Sequence, residues 1–501
     1  MEKLDLLLIN APARLGVYGH LSPLAACEPP VWAGLIARHC LDRGLRVAIL
    51  DAEAEGLTVE QTAQCIIDAR PLLAAFCVYG HQPSASTQGM PAASAVALLI
   101  NGASMPSDAA HIPTLALGTH PSALPQRTLD EGAFDYVCKG EGPRTIVELL
   151  KNGPFSAPGL YFWHGARGGV SYANAAAPNL TDLDRELPTQ AWELLDMTRY
   201  RAHLLHQWTG GPAGGYASVQ TSLGCPFACS FCCIQAPFGA RGIRYWSPAN
   251  VAVQLERLVN HYGITNVRIP DEMFVLNRQH VHQICNYLID MRLGDRLNMW
   301  AYARVDTVKD EALLTMMRRA GFTSLGIGIE SGSRHVRDGV AKGKFDEDDI
   351  VQAIERVQRC GLAVGANYIF GLPDDTRESM QATLDLAEGL NTEWANFYCA
   401  MAYPGSPLHE LAHARGWRLP EDPGGPGWIG YSQHAYDSLP LPTETLTAEE
   451  VLDFRDAAHL RYFARPAYQA MLLKKYGPRA VDDVTQMLAL GQPKRRHRNP
   501  L

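Results

Sequence analysis

Short apolar runs that alternate with helical stretches constrain the fold of this chain more than any other feature. The runs "LDLLLIN", "RVAILDAE", "LLAAFCVYG" and "TLALGTH" each end in polar or glycine residues. Between the first two lies "VWAGLIARHCLDRGL", whose apolar spacing is that of a helix. The pattern predicts a doubly wound α/β domain over residues 1–150, with ligands bound at the carboxyl ends of its parallel strands.

A second alternating series begins at Tyr216. Its strand candidates are "ASVQTSL", "NVRIPDE", "LNMWAYARVD", "SLGIGIES", "AVGANYIFG" and "WANFYCAMAYPG". Six such units predict a complete or partial β/α barrel over residues 216–407, with functional side chains at the strand ends. Residues 151–215, with "NAAAPN" and "TGGPAGG", are interpreted as a connector with little periodic structure. Residues 408–501 predict a mostly helical extension that covers the barrel mouth, including a helix capped by Thr447.

Composition narrows the possible partners. The formal net charge of −8 disfavours a nucleic-acid partner, and the one dense basic run, "KRRHR" near the C-terminus, is typical of a solvated tail.

We expect no membrane span, since no stretch reaches roughly 18 apolar residues. The first residues lack the pattern of a signal peptide, so we expect a cytoplasmic protein. In that reducing compartment the 12 cysteines favour a metal site over disulfides.

Three cysteines, Cys225, Cys229 and Cys232, are concentrated in "GCPFACSFCC", just beyond the first predicted barrel strand. A structural zinc site would need a fourth ligand, and the adjacent Cys233 is expected to face away from the other three. Buried apolar cysteines are a second alternative, but a turn with glycine and proline is poor core material. Three thiolates on a four-iron cluster would leave one iron open to another ligand, which suits chemistry at that iron.

The spacing Cys-x3-Cys-x2-Cys, with the aromatic Phe231 before the last cysteine, resembles the signature of the radical S-adenosylmethionine (SAM) superfamily. The resemblance extends over residues 216–407. It implies a [4Fe-4S] cluster whose open iron binds SAM, and an electron that splits SAM to release a 5′-deoxyadenosyl radical. It also implies an external electron donor, such as flavodoxin or ferredoxin.

SAM would need carboxylates for its ammonium group, cations or amides for its carboxylate, and an apolar slot for adenine. Residues of these types follow successive predicted strands, although "PDEMF" stands where the family often has a "GGE"-like turn. Each polar residue alone could instead serve as a structural ion pair or cap, but their recurrence at successive strand ends disfavours that alternative. The SAM-binding candidates are Phe231, Asp271, Glu272, Arg304, Glu330, Ser331, Gly371 and Tyr403.

The first domain resembles the Rossmann-like cobalamin-binding domain that precedes the barrel in one large radical SAM subgroup. The resemblance is carried by "EPPVWAGLIARHCLDRGLRVAILDAEAEGLT", "VYGHQPSASTQGMP" and "GTHPSALPQRTLDEGAFDYVCKGEGPRTIVELL". No DxHxxG motif is present, so cobalamin is expected to bind base-off. The cobalamin-binding candidates are Tyr79, His81, Gln82, Ser84, Ser86, Thr87, Gly118, His120, Gly140 and Glu141. His81 could instead be a loop histidine bonded to backbone, and His120 a structural turn residue.

The resemblance implies a cobalamin-dependent radical SAM C-methyltransferase. An unactivated carbon has no lone pair, so a hydrogen atom must be removed before a methyl group can be added. A radical oxidoreductase or cyclase with the same cofactors is the alternative, and the cysteine triad disfavours a non-catalytic cobalamin carrier. The expected partner is a small-molecule substrate, such as a sugar or a natural-product intermediate. The stretch "WIGYSQHAYDSLPLPTETL" predicts either a substrate-binding surface or a packed cover of the barrel.

Overall fold

Two parallel sheets organise the chain in its computed structural model, which describes residues 4–80, 85–102, 111–165, 168–209 and 215–498. The strands are β1 (Leu6–Asn10), β2 (Val47–Asp51), β3 (Leu73–Val78), β4 (Thr114–Gly118), β5 (Tyr136–Cys138), β6 (Leu160–His164), β7 (Val170–Ala173), β8 (Gly215–Ser218), β9 (Ser222–Leu223), β10 (Arg244–Tyr245), β11 (Ile264–Arg268), β12 (Asn298–Arg304), β13 (Phe322–Glu330), β14 (Ala363–Phe370) and β15 (Trp394–Cys399).

The helices mostly connect consecutive strands. They are α1 (Arg14–Tyr18), α2 (Val31–Leu41), α3 (Ala52–Glu55), α4 (Val59–Ala69), α5 (Ala85–Gly102), α6 (Thr119–Ala123), α7 (Pro125–Asp130), α8 (Pro143–Asn152), α9 (Leu183–Glu186), α10 (Leu204–Trp208), α11 (Pro248–His261), α12 (Arg278–Asp290), α13 (Glu311–Arg319), α14 (Arg334–Gly339), α15 (Glu347–Arg359), α16 (Arg377–Leu390), α17 (Pro407–Arg415), α18 (Ala448–Ala464), α19 (Pro466–Tyr476) and α20 (Pro478–Ala489).

The first sheet has the order β2-β1-β3-β4-β5-β6-β7, and its first five strands are parallel. Alternate residues of each strand enter two different cores, because side chains alternate across a sheet. Leu6 and Leu8 of β1 pack with α2, while Leu7 and Ile9 pack with α4 and α5. Helices on both faces and this strand order confirm the predicted doubly wound α/β fold.

The segment predicted to be a connector contributes more regular structure than expected. Strands β6 and β7 form an antiparallel hairpin and extend the first sheet beyond β5. Their sequences "LYFWH" and "VSYA" have the composition of strands, and Gly165 and Gly168 between them have φ values of +83° and +81°. The connector boundaries at 151 and 215 remain a prediction from the sequence.

The second sheet is a half barrel with the order β15-β14-β13-β12-β11-β8, all of whose strands are parallel. This confirms the predicted partial β/α barrel. Beyond β8, the short antiparallel pair β9 and β10 lies on either side of the cysteine-rich loop. The carboxyl ends of the parallel strands lie along one rim, which is where such sheets place functional groups.

The C-terminal part is mainly helical, as predicted. Thr447 caps α18 through a capping box with Glu450, and α18 packs against β15. Arg495, which follows α20, makes a fully buried ion pair with Asp456 of α18, at 2.9 Å. In the described ranges of the chain, no helix has the length and apolarity needed to cross a membrane.

Candidate active site

The three clustered cysteines lie on a loop held by backbone contacts. Gly224 begins the loop with φ +91°, and a side chain there would place its Cβ 2.5 Å from the carbonyl oxygen of Gly242. The amide of Cys232 donates to the carbonyl of Cys229 at 3.1 Å, a turn that brings these two cysteines toward the same side. Gln235 donates to the carbonyl of Cys225 at 2.6 Å. The loop is therefore shaped before any ligand binds.

Asp271 ties this loop to the end of the neighbouring strand β11. Its buried carboxylate accepts the amide and hydroxyl of Thr221 at 2.8 and 2.6 Å, and the hydroxyl of Ser222 at 2.6 Å. Burial raises the pKa of Asp271 to about 6, although these hydrogen bonds oppose the shift. Asp271 therefore holds in place Thr221 and Ser222, the residues that precede the cysteine loop.

The cysteine side chains fit a bound metal cluster. Cys225 is buried, and Cys229 and Cys232 are half-buried. Burial raises the pKa of the Cys225 thiol, and raises that of Cys232 well above its usual range. Cluster ligation needs thiolates, which a bound cation stabilises in such surroundings. Three thiols on one loop match the donor set of a [4Fe-4S] cluster with one open iron.

A cavity of about 230 Å³ adjoins the cysteine loop at the rim of the second sheet, and we call it the cysteine cavity. It is bordered by Cys232 and Cys233 together with residues of β11 to β15 and the turns that follow them. Five of the eight SAM-binding candidates border it: Phe231, Asp271, Glu272, Glu330 and Tyr403.

Two of these carboxylates have unusual environments. Burial raises the pKa of Glu272 to about 7. Glu330 has the left-handed backbone value φ +70° and pairs with Lys342 in a buried ion pair. A non-glycine residue in this conformation costs free energy, and such residues concentrate at functional sites. Glu272 is therefore a carboxylate placed for a cationic ligand group, whereas Glu330 already pairs with Lys342.

The other three SAM-binding candidates have structural contacts outside the cavity. Arg304 stacks on Phe227 at 4.0 Å and lies 3.8 Å from the sulfur of Cys229, so it supports the loop from outside. Ser331 is fully buried against Thr383 at 3.2 Å. Gly371, at φ +76°, lies so close to α18 that a Cβ would be 2.5 Å from Val451.

At the rim of the first sheet, a stacked aromatic pair and a glycine form a smooth surface. Trp32 and Tyr79 stack with ring centroids 4.4 Å apart, and the Tyr79 hydroxyl donates to the carbonyls of Gly140 and Glu141 at 3.1 and 2.8 Å. Gly118 has φ +146°, and a Cβ there would lie 2.0 Å from the carbonyl oxygen of Val78. This surface fits a flat macrocycle.

The hydroxyl residues predicted to contact cobalamin bond mainly to the protein. The Ser86 hydroxyl donates to the Val78 carbonyl and accepts the His120 amide at 2.9 Å. Thr87 contacts Nδ1 of His120 at 3.3 Å, whereas the buried Nε2 of that ring has no hydrogen-bond partner within the described part of the chain. Burial lowers the pKa of His120 to about 3. A neutral imidazole is thus available for a polar ligand atom.

The remaining cobalamin-binding candidates divide into two groups. Glu141 is buried in an ion pair with Arg244 at 2.8 Å and accepts the amide of Leu180 at 2.7 Å, which fastens the first domain to the region of the cysteine loop. His81, Gln82 and Ser84 lie outside the described residues.

The largest group of functional side chains that the sequence did not reveal surrounds Glu28. This residue precedes α2 in the first domain but reaches the inner wall of the half barrel. Its carboxylate accepts Arg268 at 2.9 Å, Tyr216 at 2.7 Å and Ser218 at 2.9 Å. Arg268 also donates to the Tyr302 hydroxyl at 2.6 Å. An arginine within the apolar strand "NVRIP" was a signal that could have been used.

Arg268 stands where three cavities meet. It borders the cysteine cavity, a cavity of about 60 Å³ between the domains that includes Trp32 and Tyr79, and a cavity of about 270 Å³ inside the half barrel, which we call the main cavity. The interdomain and cysteine cavities also share Glu272. Groups bound in these three places would therefore face one another.

The main cavity is lined by aromatic rings and uncharged imidazoles. Its walls include Trp300, Tyr302, Trp394, Tyr398, Tyr18, His203, His434 and His459. Burial lowers the pKa of His203 to about 4 and that of His459 to about 3. The buried Nε1 of Trp300 and Nδ1 of His434 find no hydrogen-bond partner in the described ranges.

Glycine makes room for these rings. Gly326 of β13 lies beside β12, and a Cβ there would be 2.7 Å from the ring of Tyr302 and 3.1 Å from Nε1 of Trp300. The two rings therefore occupy the space that a side chain at position 326 would fill.

The comparisons with known proteins agree with this geometry. The model described as "Radical SAM superfamily" matches residues 219–387, and the model described as "B12 binding domain" matches residues 21–150. An uncharacterized methyltransferase of Pyrococcus horikoshii is 30% identical over 353 residues, which are 70% of this chain and 72% of that protein. The chain belongs to the radical SAM superfamily, in the group that carries a B12-binding domain.

Two other proteins are similar to parts or all of this chain. An anaerobic magnesium-protoporphyrin IX monomethyl ester cyclase of Cereibacter sphaeroides is 27% identical over 58% of this chain and 47% of its own length. The structure of a radical SAM methyltransferase, TsrM, from Kitasatospora setae has the same fold, with a TM-score of 0.66, 17% identity, and coverage of 93% of this chain and 92% of that chain.

As a radical SAM enzyme with a B12-binding domain, the protein uses a [4Fe-4S] cluster, SAM and cobalamin. Cys225, Cys229 and Cys232 are the residues that would hold the cluster, and the cysteine cavity, which Cys232 borders, would be the space for SAM. The surface around Trp32, Tyr79 and Gly118 would hold cobalamin.

Proposed function

We propose that this enzyme transfers a methyl group to an unactivated carbon of a small molecule bound in the main cavity. The observation that carries the proposal is the position of Arg268 at the junction of three cavities. When bound, the cofactors supply a radical that removes hydrogen and a cobalt-bound methyl group. Both must reach the same substrate carbon, which is possible only where their cavities meet the substrate cavity.

The lining of the main cavity supports an uncharged substrate with aromatic or other flat parts. Its charged side chains are already paired, since Arg268 binds Glu28 at 2.9 Å and Arg455 binds Asp456 at 2.9 Å. Trp300 Nε1 can donate to a substrate oxygen, and the stacked rings of Tyr18 and His434 cover one side. A natural-product intermediate fits these features better than a sugar, which would need more hydrogen-bonding groups.

The protein's own residues position the reactants. Glu28 and Arg268 fix the junction between the domains, and Glu272 borders both adjoining cavities, with a pKa raised by burial to about 7. That carboxyl can hold or release a proton near neutral pH. The Gln433 side chain binds both the amide and the carbonyl of Cys399, so the C-terminal cover closes the cavity.

The test uses SAM with a trideuterated methyl group, a reductant and candidate substrates. Methyl transfer predicts S-adenosylhomocysteine and 5′-deoxyadenosine in about equal amounts, and a product that carries the labelled methyl in place of hydrogen. A flavodoxin or ferredoxin is the proposed natural electron donor, and the cytoplasm the proposed compartment.

A cyclase or oxidoreductase is the second candidate, supported by the likeness to the Cereibacter sphaeroides cyclase. It predicts 5′-deoxyadenosine with substrate turnover, S-adenosylhomocysteine at background, and no label in the product. That result would replace the methyltransferase proposal.

A further inference from the structure

A group of metal-binding side chains lies on α17, apart from the cysteine loop. The sequence "HELAH" places His409 and His413 four residues apart, so both rings project from one face of the helix. Their ring centroids are 4.5 Å apart. Two histidines at this spacing on a helix are a recurrent way to bind zinc, because both imidazoles can reach one ion.

A carboxylate completes the group. Glu421, from the segment that follows α17, lies with Oε1 2.8 Å from Nε2 of His409. One ligand atom from each of His409, His413 and Glu421 falls within 4.8 Å of the others. The Glu421 side chain is only 2% exposed, and its one salt-bridge partner among the described residues is His409. A cation at this point would compensate a buried negative charge.

Surrounding contacts hold the three side chains in place. The Tyr431 hydroxyl donates to Oε2 of Glu421 at 2.6 Å, which leaves Oε1 directed toward the histidines. Ser406 caps α17 by accepting the amide of His409 at 3.2 Å. Arg127 of the first domain donates to the backbone carbonyl of Glu421 at 3.2 Å. In known metal sites, hydrogen bonds from surrounding residues to the ligands orient those ligands in the same way.

We propose that His409, His413 and Glu421 bind a divalent zinc ion. Two imidazole nitrogens and one carboxylate oxygen form a ligand set that suits zinc, and a water molecule can take the fourth position beside the exposed His413. The site is distinct from the cysteine loop and does not depend on the proposed methyl transfer.

The ion would fasten the segment 417–431 to α17. That segment carries Trp428, which packs edge-on against His120 at 4.4 Å and lies under Arg127 at 4.6 Å. Zinc at Glu421 would therefore stabilise the contact between the C-terminal cover and the first domain, at the histidine predicted to lie beside cobalamin.

Metal analysis of the full, reconstituted protein tests the site. After incubation with zinc sulfate and gel filtration, we expect about one zinc per chain, with unchanged iron and cobalt. His413→Gln should lose the zinc and keep iron and cobalt, since this side chain is exposed and its replacement should not disturb folding. His335→Gln, another exposed helical histidine, is the matched control and should keep the zinc.

Two further measurements define the ligands. Zinc X-ray absorption should show nitrogen and oxygen neighbours at about 2.0–2.1 Å, without the sulfur neighbours at about 2.3 Å that zinc on the cysteines would give. Tyr431→Phe should weaken zinc binding roughly 10–100-fold through loss of its contact with Glu421. Sulfur neighbours, or equal zinc in wild type and His413→Gln, would overturn the proposal.

Discussion

The two parallel sheets present their ligand-binding surfaces in different ways. In the first sheet both faces are covered by helices, and β3 and β4 are buried along their whole length. Only its rim can meet a ligand, mainly through turns such as that at Gly118. The inner face of the half barrel instead borders two cavities, and side chains such as Arg268, Trp300 and Asn367 line them. We therefore expect the first sheet to recognise its ligand by backbone shape and the second sheet by side-chain chemistry.

This difference predicts where each sheet is vulnerable. A sheet that recognises through its backbone should tolerate exchange of polar groups but not an added Cβ at its turns. A wall of charged and aromatic side chains should tolerate small changes in shape but not the loss of one member of an ion pair.

The largest effect is expected at the cysteine loop of the second sheet. Replacement of Cys225, Cys229 or Cys232 by alanine should abolish the cluster and all radical activity, because two remaining thiolates cannot retain four irons. Cys233→Ala should keep the cluster. Iron analysis and electron paramagnetic resonance on the four anaerobic variants measure this, and a full iron content in Cys229→Ala would contradict it.

Gly118→Ala should cause the next largest effect, in the first sheet. The new Cβ would lie 2.0 Å from the Val78 carbonyl oxygen, so β3 and β4 must separate at the cobalamin surface. We expect loss of bound cobalamin, seen as loss of corrin absorbance, and a lower unfolding temperature. Gly132→Ala is the control. Gly132 has φ +75°, and a Cβ there would lie 3.9 Å from the nearest atom, so the substitution should lower the free energy of unfolding by only about 1–2 kcal/mol through backbone strain. Equal amounts of bound cobalamin in Gly118→Ala and Gly132→Ala would show that the backbone shape at Gly118 does not determine cobalamin binding.

Removal of one partner of the Glu28 and Arg268 pair should reduce stability by about 3–5 kcal/mol, because it leaves a buried charge unpaired. Glu28→Gln combined with Arg268→Met should be less damaging than the two single changes added together. Unfolding temperatures of the three variants and the wild type measure the coupling. Strictly additive shifts would mean that the pair does not join the domains.

The smallest effect concerns pH. Burial lowers the pKa of His120 to about 3 from an ordinary value of 6.5. The unfolded chain therefore binds a proton that the folded chain does not, and stability falls as the pH decreases from about 6.5 toward 3, by up to about 1.4 kcal/mol per pH unit. His120→Phe should flatten the dependence by nearly one proton between about pH 5.5 and pH 4, as measured by denaturant unfolding.

Part of the pH dependence of stability should remain in His120→Phe. Histidines beside the second sheet, His203, His206, His434 and His459, also have pKa values lowered by burial. Identical slopes for the variant and the wild type would show that His120 does not titrate as its burial indicates.

The elements that depend on local patterns could be predicted from the sequence. The alternation of apolar runs and helices predicted both sheets, and the cysteine spacing predicted the cluster loop. The hairpin of β6 and β7 was missed although its glycine turn was a usable signal, because its strands are short and separated by residues typical of loops.

The site was harder to predict because its contacts join distant parts of the chain. Glu28 reaches Arg268 across 240 positions, and no periodicity indicates that the first domain inserts a carboxylate into the half barrel. Ser331 and Gly371 stay predicted SAM contacts, and the structure adds that Ser331 contacts Thr383 and that Gly371 lies close to Val451. Position at a strand end limits where a side chain can be, but its neighbours decide its role.

Gly326 links the shape of the main cavity to the junction where the three cavities meet. Because the rings of Tyr302 and Trp300 rest where its side chain would stand, a single added methyl group would tilt two walls of the main cavity at once. Tyr302 also borders the cysteine cavity and accepts a hydrogen bond from Arg268 at 2.6 Å, so the same change would reach that cavity as well. A single codon therefore controls the walls of two cavities, and we expect Gly326→Ala to change both of them together.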